Sequence, residues 1–170
     1  MKKQSIVGIA VLTIFGLAHE CFATETKFID AKASIITKLS TSQMVDIEIS
    51  KSALDKSSPY ASSFRWGGDK IFHPKYFISS FDVSVDSNKI SISLSAYADL
   101  GNPSKVSFTE TKNGFDLTIM GGDAGVGYRS IYTFEKSDGQ IVLHSRKVML
   151  LEFPGQAWEE TVYSYTATTN

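Results

Sequence analysis

The sequence predicts a mainly β protein: a single antiparallel β-sandwich or up-and-down β-barrel built from consecutive hairpins, with a short N-terminal helix as its one helical option. Two observations carry this. From about Tyr60 onward, short runs alternate apolar and polar residues, the period-two signature of strands half buried in a sheet. Between them stand turn-forming clusters at hairpin spacing: Asp86-Ser87-Asn88, Gly101-Asn102-Pro103, Lys112-Asn113-Gly114 and Ser137-Asp138-Gly139. Length sets the domain count. The chain has 170 residues, and 147 remain once an N-terminal leader of 23 is set aside, which suits one domain with a real core.

Residues 1–23 read as a secretory signal peptide. Lys2 and Lys3 give a positive start, Ile6 to Ala18 are apolar or small, and Cys21-Phe22-Ala23 ends the stretch with small residues at its first and third places. A membrane anchor is disfavoured because a span takes about 20 apolar residues. A lipidated Cys21 is disfavoured because Glu20 stands where such a signal wants a small residue. The expected domain is therefore 24–170, in the bacterial periplasm or outside the cell.

Elements follow in order. Ala31 to Leu39 suits either a short helix or, through Ile35, Ile36 and Thr37, a strand. Met44 to Ile49 alternates, with Val45, Ile47 and Ile49 on one face. Lys51 to Ser58 reads as a polar loop or a single helical turn, ended by Pro59. Phe77, Phe81, Val83 and Val85 mark a strand. Ile90, Ile92, Leu94 and Ala96 mark a second, with serines on the other face. Val106 and Phe108 pair through Asn113-Gly114, the favoured type I′ dipeptide, with Phe115, Leu117 and Ile119. Val126 to Glu135 and Gln140 to Leu151 form another hairpin, and Trp158 to Thr166 a last strand.

Composition excludes several chemistries. Losing Lys2, Lys3 and Glu20 leaves 15 basic against 17 acidic residues, net −2 and without a basic cluster. That gives no electrostatic case for nucleic acid or an anionic membrane surface, and no stable membrane insertion is expected after leader cleavage. Cys21 is the only cysteine and leaves with the leader, so the domain rests on its apolar core without disulfides.

Catalytic motifs fail on context. Gly121 to Gly127 is glycine-rich but lacks the Gly-Lys-Ser/Thr ending and the following helix of a phosphate loop. His73 and His144 stand 71 residues apart, without metal-ligand spacing. No Gly-x-Ser-x-Gly elbow occurs. Adjacent Glu159 and Glu160 face opposite sides of a strand. No catalytic residue, cofactor or metal is expected.

The most suggestive stretch is aromatic. Tyr60, Phe64, Trp66, Phe72, Tyr76, Phe77 and Phe81 crowd together with Arg65, Asp69, Lys70, His73 and Lys75 among them. Aromatic bodies beside charged tips serve binding surfaces well, although sheets also bury large aromatics in their cores. Arg65, Trp66, Asp69, Lys70, His73, Tyr76 and Trp158 are the candidate binding residues. The expected function is an exported, non-enzymatic domain that binds, and inhibits or neutralises, a protein or other envelope component. A barrel-type carrier of a small apolar ligand and a hydrolase of envelope polymers are the alternatives.

Overall fold

The structure is a computed structural model and describes residues 24–55, 57, 74–123, 126–152 and 159–163. Among the described residues, ten strands follow one another: β1 (Thr24–Phe28), β2 (Lys32–Lys38), β3 (Met44–Ala53), β4 (Tyr76–Val85), β5 (Asn88–Ile90), β6 (Pro103–Thr111), β7 (Gly114–Asp123), β8 (Val126–Ser137), β9 (Gln140–Leu150) and β10 (Glu159–Val162). They form two antiparallel sheets, one of six strands in the order β1-β6-β7-β8-β9-β10 and one of four in the order β2-β3-β4-β5. Each sheet ends in edge strands, so the architecture is an open sandwich and the barrel alternative is overturned.

Period-two sequence produces the two layers. Val45, Ile47 and Ile49 on β3 face Ile78, Phe81, Val83 and Val85 on β4 and, across the interior, Phe108, Phe115, Leu117, Ile119, Tyr132 and Phe134; all are buried. Phe115 stacks on Phe134 with ring centres 4.7 Å apart and lies 5.3 Å from Phe108, so a ladder of phenyl rings crosses β6, β7 and β8. Phe81 meets Tyr132 of the opposite sheet edge-on at 5.0 Å, the favoured quadrupolar arrangement.

Four expectations change. Residues 31–39 hold no helix. They form β2, because Ala33 and Ile35 alternate into the core while Lys32, Ser34 and Ile36 stay outside. The half-buried strand over 90–96 stops at Ile90. The chain there must leave one layer for the other, and a 3-10 turn at Leu94–Ala96 carries it across with Ala96 and Leu100 buried and Leu94 exposed. The stretch after Ser50 is no loop at first, since β3 runs on to Ala53 past a bulge. The last strand is seen as β10, Glu159–Val162, and ends before Tyr163; Trp158 and residues 164–166 lie outside the described residues.

Turn chemistry is redistributed as well. The β6–β7 hairpin exists, but the residues at positive φ are elsewhere: Asp86 and Ser87 between β4 and β5, and Asp138 and Gly139 between β8 and β9. Those two pairs have the type I′ signature. Gly114 is needed for space instead, because a Cβ there would run into the Phe134 carbonyl oxygen.

Candidate functional site

One end of the sandwich collects three connections. Register partners run along that end from Ala53–Tyr76 in the four-stranded sheet, through the bridge Phe77–Gly101, to Gly121–Tyr128 and Tyr128–Leu150 in the six-stranded sheet. Hydrogen bonding along these rows fixes strand ends side by side. The connections β3–β4, β7–β8 and β9–β10 therefore all depart from the same end. Loops grouped on a rigid sandwich in this way are a common place for recognition residues.

Asn102 clasps that end. Its Oδ1 accepts hydrogen bonds from the N–H groups of Lys75 (2.8 Å) and Tyr76 (3.1 Å), and its Nδ2 donates to Asp123 Oδ1 at 2.8 Å. Its own N–H donates to the Tyr76 carbonyl, and its carbonyl accepts from the Gly122 N–H. A φ of 47° lets one residue reach both sheets, a conformation that asparagine tolerates better than most. Leu54 N–H closes the base of the β3–β4 connection on the Lys75 carbonyl, and Leu151 N–H bonds the Gly127 carbonyl beneath the β9–β10 connection. Hydrogen bonds from the Ser57 hydroxyl and N–H hold the exposed Asp55 carboxyl below its ordinary value.

Tyr76 stands exposed at this rim. The Lys51 ammonium lies 5.2 Å from the centre of its ring and also donates to the Pro103 carbonyl. Leu151, in the β9–β10 connection next to Gly127, is also exposed at this end. The rim thus offers an aromatic face, an aliphatic side chain, cations at Lys51 and Lys75, and a carboxylate at Asp123. Such groups provide contact area, hydrogen bonds and charge to a partner.

Of the candidate binding residues, the structure places Tyr76 on this rim. Arg65, Trp66, Asp69, Lys70, His73 and Trp158 lie outside the described residues, as does the leader. Next to them in the chain, Pro74 and Lys75 lead into β4, and Glu159 lies in β10. His144 lies 3.9 Å from Glu135 and is half exposed. Among the described residues, no group of three or more His, Cys, Asp or Glu is arranged to hold a metal.

Behind the rim, between the layers, lies a polar cluster that the sequence reading missed. The Arg146 side chain is buried, and its Nη2 donates to both Asp99 carboxylate oxygens at 2.7 Å. Its Nε reaches Ser130 Oγ at 3.4 Å, and Glu159 stands 3.7 Å from Nη1. Burial works against the guanidinium charge, but Tyr132, Asp99 and Glu159 outweigh it and raise its pKa. Tyr132 donates its hydroxyl to the Ala96 carbonyl at 2.8 Å. Burial pushes the Tyr132 and Tyr128 phenols well above the ordinary range. Both guanidinium faces are engaged, so Arg146 fastens the 91–101 crossover to β9 and β10 and is not free to bind an anion. A clue was present: Arg146 is in phase with buried Val148 and Leu150.

The geometry defines a class: a two-layer antiparallel β-sandwich with sheets of six and four strands. Comparison of the chain with models of known families, with characterised proteins and with solved structures finds no match.

Proposed function

We propose that this chain is an exported, non-enzymatic β-domain that binds a protein or other component of the bacterial envelope, and inhibits or neutralises it, through the Asn102 end of the sandwich. The observation that carries the reading is the gathering of three connections onto one clasped end. One of them spans the stretch richest in aromatic and charged residues, from Tyr60 to Tyr76. Aromatic residues on a rigid support bind with little loss of side-chain entropy. Export rests on the leader in the sequence.

The test is comparative capture from a periplasmic extract. The protein, a Tyr76→Ala/Leu151→Ser variant altered at the rim and an Asn88→Ala variant altered at the opposite end serve as baits. A partner retained by wild type and Asn88→Ala but lost by the rim variant supports the reading. A partner retained equally by all three, or turnover of an envelope polymer by the protein alone, overturns it. N-terminal sequencing of exported material checks the leader, with a start at Thr24 expected.

A further inference from the structure

Among the described residues, β1 is paired on one side only. Its partner is β6, and no strand lies on its other edge. The phase of the hydrogen bonding follows from one bond. Ile29 N–H donates to the Ser104 carbonyl, directly across in register, so Ile29–Ser104 is a hydrogen-bonded pair. Antiparallel pairs alternate. Lys27–Val106 and Glu25–Phe108 are therefore the bonded pairs, and the N–H and C=O groups of Thr24, Thr26 and Phe28 point out to the free edge. Unpaired edges of this kind template the addition of another strand unless they are blunted.

Two other edges among the described strands, β2 and β10, carry like charges. On β2 the outward backbone groups belong to the stretch that carries Lys32 and Lys38, and β10 carries Glu159 and Glu160. The β1 edge differs, because its charges have opposite signs and are placed symmetrically. Thr24-Glu25-Thr26-Lys27-Phe28 laid antiparallel on a second copy of itself, with Thr26 opposite Thr26, sets Glu25 against Lys27 twice. The same register matches outward backbone groups with outward backbone groups. Thr24 then faces Phe28 of the second copy in a bonded pair, giving about six main-chain hydrogen bonds. The Glu25–Lys27 pair that each copy makes within itself at 3.0 Å is exchanged for two pairs across the junction. Phe28, 75% exposed in the single chain, gains the partner's Thr24 as cover.

From this self-complementarity we infer that two copies of the chain associate through β1 about a two-fold axis at Thr26, joining their six-stranded sheets into one continuous sheet. The β1 edge shares no residue with the rim groups named above, and the inference does not depend on what the Asn102 end binds.

The experiment is sedimentation equilibrium of the purified protein over a wide concentration range, with melting curves as a check on folding. The wild-type mass rises toward twice the monomer mass with concentration. Thr26→Pro abolishes association yet leaves the fold intact, because the N–H it removes is unpaired in the monomer and only the 3.0 Å contact with Ser107 Oγ is lost. Glu25→Lys and Lys27→Glu each place like charges opposite one another twice and weaken association roughly tenfold. The double variant Glu25→Lys/Lys27→Glu restores the pairing and returns the dissociation constant toward the wild-type value. Should Thr26→Pro fail to fold, the charge series decides alone. A protein that stays monomeric at its solubility limit, a folded Thr26→Pro variant that associates normally, or a double charge swap that fails to recover would each overturn the inference.

Discussion

Asp99→Ala removes the carboxylate that neutralises a buried cation. The Arg146 side chain is 3% exposed and Asp99 17%, with two bonds of 2.7 Å between them. What remains after the change is a 3.4 Å contact with Ser130 and a half-exposed Glu159 at 3.7 Å. Leaving one partner of a buried pair uncompensated costs about 3–5 kcal/mol. Glu159 offsets some of this, placing the expected loss near the lower end, about 3 kcal/mol. A domain of this size shifts by about 2–4 °C per kcal/mol, so the melting midpoint falls by roughly 10 °C. Urea unfolding followed by circular dichroism, together with a thermal scan, measures both. Replacing the pair together, Asp99→Leu with Arg146→Met, removes the stranded charge and returns stability to within about 1 kcal/mol of wild type. An Asp99→Ala variant within about 0.5 kcal/mol of wild type, the range of ordinary surface changes, refutes the assignment of Asp99 as the counter-charge.

Three further outcomes are expected. Asn102→Ala loses three side-chain hydrogen bonds and puts a Cβ-bearing residue at a φ of 47° without the local bonding that asparagine supplies, so denaturant titration shows a loss of about 2–3 kcal/mol. Gly114→Ala drives a Cβ toward the Phe134 carbonyl oxygen, a backbone atom that cannot swing aside; unfolding experiments show a destabilisation of about 2 kcal/mol or more, with the β6–β7 register disturbed. Burial raises the folded-state pKa of Tyr128 and Tyr132, so the neutral phenols stabilise the fold fully below the unfolded-state value of about 10 and that contribution is lost as pH rises beyond it. Alkaline titration of tyrosinate absorbance therefore shows these two ionising only together with unfolding.

Much of the sheet architecture was legible because alternation is a local signal. Val45, Ile47 and Ile49 reach the core as their spacing predicts, and the strands after Tyr76 fall near their expected places. Signals failed where tertiary demands overrode local ones. Ile90 to Ala96 alternates well, yet the chain must cross between layers there, and the Ala96 carbonyl is needed by Tyr132. Asn113-Gly114 is the favoured hairpin dipeptide, yet its glycine answers a close approach of Phe134. Tyr76 was singled out because an aromatic next to a charged stretch is visible in one dimension, and the structure places it exposed at the rim. Asn102 was read only as part of a turn, since its role comes from Lys75 and Tyr76 on one side and Asp123 on the other. Arg146 was missed because a bulge in the β8–β9 pairing breaks the alternation between buried Leu143 and buried Arg146.

The pairing of β1 with β6 also sets a timetable. Thr26 and Ser107 meet across a separation of 81 residues, among the longest closures in the molecule. Such distant contacts form late, after local hairpins have condensed. A chain emerging from the ribosome thus carries its first strand unsatisfied until well over half of its length has been made, and the larger sheet cannot close around a nascent fragment.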